Sequence, residues 1–132
     1  METIAQFLRD NRIFYIATAE GSQPRVRPFG AVCIFGGRLY FGTGNKKPVS
    51  KQMKENPQIE ISTTTPDGAT WLRLTAKAVA HDCREARQAM LDATPSISGI
   101  YNSDDGVFEV FYLQNATGTI FSRNGQAETH EF

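Results

Sequence analysis

Two short segments carry the residues best able to do chemistry. In Pro24-Arg25-Val26-Arg27-Pro28-Phe29-Gly30, strand alternation sends Arg25 and Arg27 to one face and Val26 and Pro28 to the other. Two guanidiniums on one face suit an anion, although a solvent-facing strand would carry the same pair. Pro28 removes a ladder donor, which strands tolerate at an edge or a bulge, where backbone groups stay free to meet a ligand. In Phe41-Gly42-Thr43-Gly44-Asn45-Lys46-Lys47, two glycines, a hydroxyl and two lysines precede Pro48, a residue suited to the first helical position. Free N–H groups and the helix dipole at such a helix start favour phosphate, while a solvated lysine loop is the plainer reading. Neither GxxxxGK[ST] nor GxGxxG occurs, so nucleotide hydrolysis of the P-loop kind and Rossmann dinucleotide binding have no support. Trp71 is the only tryptophan. It either packs at a sheet end or borders a planar ligand.

The elements that must position these residues are mostly strands. Short runs rich in β-branched and aromatic residues alternate with turn signals. Strands are predicted at Ile13–Ala19, over one long run Pro24–Phe35, and at Arg38–Gly42 after a Gly36-Gly37 hairpin. That hairpin is expected to lay Arg27 beside the lysine loop. Further strands are predicted at Gln58–Thr65 and Thr70–His81 around the Pro66-Asp67-Gly68 turn, then at Val107–Gln114 and Thr117–Phe121 around Asn115-Ala116. On the Trp71 strand, Leu72, Leu74 and Ala76 form the core face and Trp71, Arg73 and Thr75 the other. Helices are predicted at Ile4–Asp10 behind a Thr3/Gln6 capping box, at Pro48–Glu55 ending at Asn56-Pro57, and from an Asp82/Glu85 box through Met90 and Leu91. Ser96–Gly106 reads as loop. The fold class is β-rich α+β, with six to seven mostly antiparallel strands closed as a barrel and two to three short helices, since closure removes exposed edges.

Composition bounds the partners. The 132 residues fit one domain, 1–132, and 40% hydrophobic with 21% charged residues is ordinary globular usage. Lys plus Arg equals Asp plus Glu at 14 each, so no global field draws the chain to nucleic acid or to an acidic membrane. Cys33 and Cys83 match no CxxC or zinc spacing and read as buried thiols in a reducing compartment. His81 and His130 lack a partner at metal spacing, so no metal is expected. METIAQFLRD has no secretory pattern and no apolar run nears the length of a bilayer span, which predicts the cytoplasm.

Taken in order, the PRVRP strand, LYFGTGNKKPVSKQMKENP, WLRLTAKAVAHD before a helix, and FEVFYLQNATGTIF resemble the pyridoxamine-phosphate oxidase-like flavin-binding split barrels. The likeness covers nearly the whole chain and is strongest to the general-stress and nitroimidazole-resistance branches. It implies a homodimer with flavin mononucleotide (FMN) in a groove where both subunits meet. Carried over, Arg27 matches the phosphate-binding arginine, with Arg25 on the same face. Val26, Pro28 and Phe29 match strand residues whose backbone lies along the isoalloxazine. Thr43, Asn45, Lys46 and Lys47 match the phosphate loop, and Lys51 follows one turn into the helix. Trp71 falls near the ring, and Phe111 with Tyr112 is placed to reach the partner subunit's flavin.

The founding oxidase has a further C-terminal segment with a tryptophan and an arginine. Here Ser122-Arg123-Asn124-Gly125 and a polar tail stand instead, so pyridoxal phosphate synthesis is not expected. The implied activity is an FMN-dependent oxidoreduction, because the flavin carries the hydride chemistry and no dedicated acid or base is needed. The alternatives are a non-catalytic flavin or haem-type binding protein, a deazaflavin-dependent reductase of the same fold, and, weakest, a nucleic-acid-binding barrel.

Overall fold

A computed structural model describes all residues, Met1–Phe132. The chain runs α1 (Glu2–Asn11), β1 (Phe14–Glu20), β2 (Gln23–Phe29), β3 (Val32–Phe35), β4 (Arg38–Gly44), α2 (Pro48–Glu55), β5 (Gln58–Thr64) and β6 (Thr70–Ala80). It continues with α3 (Arg84–Ala93), α4 (Pro95–Ser98), β7 (Phe108–Ser122) and β8 (Ala127–Glu131). Every strand pair is antiparallel, in the order β2-β1-β5-β6-β7-β4-β3, with β8 added to β7. β2 and β3 lie at opposite ends of that order, yet only Gly30 and Ala31 separate them in the chain. Two residues span about 7 Å, so the sheet must curl until its ends meet. The product is a split barrel.

Alternation decides what the barrel holds. Phe14 and Ile16 of β1, Ile59 and Ile61 of β5, Leu72 and Leu74 of β6 and Phe41 of β4 are all at most 3% exposed and share one cluster. Ile4, Ala5 and Leu8 of α1 and Val49 and Met53 of α2 join the same cluster, so these two helices plug the barrel. A smaller cluster lies on the opposite face of β3 and β4, where Tyr40, Phe108 and Val110 meet Ala86, Met90 and Leu91 of α3.

Gly42 is required by this second layer. A Cβ there would lie 2.6 Å from two ring carbons of Phe108 and 3.3 Å from the Glu109 carbonyl. Gly42→Ala is expected to destabilise the chain by about 1–3 kcal/mol, as overpacked cores do, and to lower the urea midpoint. An unchanged midpoint would contradict this packing.

Several local expectations are corrected. The run Pro24–Phe35 is two strands on different sheet edges, because it bends at Gly30-Ala31. Neither capping box forms: Met1 and Cys83 occupy the N-cap positions, and the Asp82 carboxylate instead accepts from Arg87 Nη1 at 2.7 Å. Asn115 does not turn a hairpin. It takes a positive φ of 53° at a β-bulge where the β6–β7 register shifts between Thr75 and Lys77, so β7 continues for 15 residues. The closing hairpin lies at Arg123–Gln126, where Gly125 has φ 85°, and the tail forms β8. The expected loop Ser96–Gly106 begins inside a short helix, Pro95–Ser98, so the totals are eight strands and four helices.

Candidate functional site

The split is where the two barrel edges part. β3 pairs with β4 only from Phe35↔Arg38 to Val32↔Phe41, so Gly42, Thr43 and Gly44 have β7 on one side and no strand on the other. β2 pairs with β1 alone. Phe29 of the edge strand β2 and Phe41 of β4 pack edge to face with ring centroids 5.5 Å apart and form the base of the opening. The hairpin therefore does not lay Arg27 alongside the lysine loop by strand pairing. It is α2, packed across the end of the barrel, that reaches both edges.

Arg27 projects inward from β2, half-buried, opposite Ile16. Its Nη1 donates to the Ile16 carbonyl at 3.1 Å and to Thr18 Oγ1 at 2.8 Å, and its Nη2 donates to Gln52 Oε1 at 2.5 Å. All three acceptors are neutral. No carboxylate pairs with it, and no bond engages Nε. Burial, and then the like charge of Arg25, lower its pKa. Arg25 itself is half-exposed and donates to Glu20 at 3.1 Å.

Thr43 faces the same side of β4 as Phe41 and is only 4% exposed, yet its hydroxyl takes part in no hydrogen bond in the chain. No unpartnered polar atom is sealed off, so this oxygen still meets solvent at the open edge. A guanidinium without a counter-ion that bonds to Gln52 of α2 suits an anion such as a phosphate monoester, and Thr43 offers an idle hydroxyl on β4.

Glu109, opposite Thr43 in the register, is already engaged. It accepts a short bond from Ser50 Oγ and a 2.8 Å bond from Lys54 Nζ. Lys46 and Lys47 are exposed at the head of α2 and have no ion pair. Asn45 has a mainly structural part, donating from Nδ2 to the Gly106 carbonyl at 2.9 Å and from N to the Val107 carbonyl at 2.8 Å. Lys51 points away from the barrel and lies 3.8 Å from Glu55.

The other predicted residues divide by face. Val26, 67% exposed, and Pro28 lie on the outer surface of the sheet, where Tyr15, 49% exposed, stands opposite Pro28. Trp71 lies on that outer surface too, stacked on Phe121 with centroids 4.5 Å apart and with Arg73 over both rings. Phe111 is corrected: it is wholly buried in the barrel core, stacked on Phe41 at 5.6 Å, and offers no surface to a partner's ligand. Tyr112, its neighbour on the opposite face, lies under Arg38 at 4.1 Å.

Sequence reasoning missed Thr18, Glu20 and Gln52. A signal existed for two of them. Thr18 continues the inward series Phe14, Ile16, and Gln52 sits between Val49 and Met53 on the apolar face of α2, so each is a polar residue in a core position. Of the cysteines, Cys33 is buried and burial pushes its thiol up to about 11, whereas Cys83 is only partly covered.

Comparison with known proteins agrees with this architecture. The family model described as pyridoxamine 5'-phosphate oxidase matches residues 1–117. No curated protein matches. The structure of a NimC/NimA family protein from Clostridium acetobutylicum is 44% identical, covers 100% of this chain and 92% of its own, and superposes with a TM-score of 0.96. A protein related to general stress protein 26 from the same organism is 13% identical, covers 99% and 93% of the two chains, and has a TM-score of 0.76. A pyridoxamine 5'-phosphate oxidase-related, FMN binding protein from Nostoc punctiforme is 12% identical over 99% and 94%, with a TM-score of 0.66. The last two likenesses speak to the fold, and the first carries sequence relationship as well. With the family model spanning most of its length and a relative of this identity aligned end to end, the chain belongs to the pyridoxamine 5'-phosphate oxidase family.

Proposed function

We propose that this chain binds FMN as a homodimer and reduces a small electron-poor organic compound with it. The observation that carries the reading is Arg27, a half-buried guanidinium held by three neutral acceptors with no carboxylate to neutralise it. Such a charge is costly to keep unless an anion completes it. Arg27 and Thr43 would hold the phosphate, and Lys46 and Lys47 would add positive potential at the α2 end. Bound FMN would supply hydride transfer at its N5, fed by a nicotinamide or similar donor and drained by a nitro compound or quinone. The protein's share is to bind and orient the ring. No helix is long and apolar enough to cross a membrane.

The dimer reading is supported by the outer sheet face. Tyr15, Val26 and Pro28 form an exposed apolar strip on β1 and β2, and the Trp71–Phe121 stack lies on the same face two strands along. A strip of this kind on a small domain suits burial by a second copy, with the planar ring held between.

Freshly purified protein is expected to be yellow, with flavin absorption bands, to elute at twice the mass of one chain, and to be bleached by a nicotinamide donor and recoloured by an added nitroaromatic. A colourless monomer that ignores added FMN would defeat the proposal. A yellow dimer that no donor reduces would leave binding and remove catalysis.

A further inference from the structure

Gln52 deserves a role that its residue type does not suggest. It is 4% exposed and lies at the centre of a four-residue polar chain inside the split. Its Oε1 accepts from Arg27 Nη2 at 2.5 Å and from Thr18 Oγ1 at 2.6 Å, and its Nε2 donates to Glu20 Oε2 at 3.0 Å. The amide thus stands between a cation and an anion. It gives its carbonyl to the guanidinium and its N–H to the carboxylate. Glu20 meanwhile takes its own partner, Arg25, from further out on β2.

We propose that Gln52 is a positioning residue that acts as a neutral spacer, orienting the Arg27 guanidinium while holding the Glu20 carboxylate away from it. The positive charge is thereby left whole for a phosphate dianion. This rests on the reading of Arg27 as the phosphate contact. Two observations support it. Every acceptor on Arg27 is uncharged, although a carboxylate lies just behind one of them. Arg27, which can only donate, and Glu20, which can only accept, fix the amide the right way round, because a flipped Gln52 would set N–H against the guanidinium and its carbonyl against the carboxylate. A carboxylate in place of this amide would accept from the same two donors in the same space and would neutralise the site from within.

The test compares FMN with riboflavin, which has the ring and no phosphate, by fluorescence titration of the full chain freed of flavin. Gln52→Glu is expected to weaken FMN binding by about twentyfold, near the value of a charge-assisted phosphate contact, with riboflavin affinity within about twofold of the parent. Gln52→Asn, which withdraws the amide without adding charge, is expected to weaken FMN about fivefold with riboflavin again unchanged. A residue that merely supported the fold would shift both ligands together. If both variants keep the parental FMN-to-riboflavin ratio while Arg27→Ala lowers it, the spacer role is overturned and the phosphate reading stands. If Arg27→Ala also keeps that ratio, the phosphate reading falls and takes the spacer with it. Should Gln52→Glu fail to fold, the ratio in Gln52→Asn decides in the same way.

Discussion

Arg27→Ala is expected to bind FMN about thirtyfold more weakly than the parent, because a charge-assisted contact to phosphate contributes on the order of 2 kcal/mol. Riboflavin affinity should stay nearly constant, since the lost contact is to the phosphate. Arg27→Lys should recover only part of the loss. An ammonium keeps the charge, but it cannot reproduce the planar fork that donates to the Ile16 carbonyl, Thr18 and Gln52 while keeping Nε free. The folded chain should survive the alanine change, as the guanidinium lies at the barrel opening and not among the buried apolar side chains. Equilibrium titration of both ligands checks this, and equal FMN affinity in parent and variant would remove Arg27 from the site.

Phe111→Ala should act on stability instead. Phe111 is fully buried and stacks on Phe41, which in turn packs edge to face against Phe29 at the base of the split. Removing such a ring costs about 3–5 kcal/mol, transfer and cavity together, a large share of the roughly 5–15 kcal/mol by which domains are stable. Urea unfolding should show the loss directly. Phe111→Leu, which keeps most of the apolar volume, should cost less and leave flavin affinity per folded molecule unchanged. A Phe111→Ala protein of parental stability that had lost flavin would restore the residue to the site and contradict its place in the core.

The two variants probe the ends of one contiguous structure. Phe111, Phe41 and Phe29 run from the barrel core to its mouth, and Arg27 begins where that apolar series stops. Phe29 and Phe41 end the apolar series, and Arg27, Thr18 and Gln52 form the polar network that follows it. A change at Phe111 is expected to cost stability and leave the site of each folded molecule intact, whereas a change at Arg27 should affect the site alone.

Much of this was legible in the residues themselves. Period-two alternation in WLRLTAKA placed Leu72, Leu74 and Ala76 inward and Trp71 and Arg73 outward, as found, because one buried face is enough to set a strand's orientation. Pro48 marked the start of α2 and Asn56-Pro57 its end, since both follow from local backbone constraints. Arg27 and Thr43 stood out by type and spacing.

What the residues alone did not determine is non-local. The bend at Gly30-Ala31 that sends β2 and β3 to opposite sheet edges depends on which strands pair, and pairing is decided by the whole barrel. Asn115 looked like a turn because asparagine readily takes positive φ, but the long partner strand β6 holds it as a bulge within β7. Phe111 looked like a ligand contact, and only the packing of Phe41 and the barrel around it makes it core. The neutral company of Arg27 is the plainest case. Ile16, Thr18 and Gln52 lie 9 to 25 residues away in the chain, and only closure of the barrel under α2 brings them around one guanidinium while a buried amide holds off the nearest carboxylate.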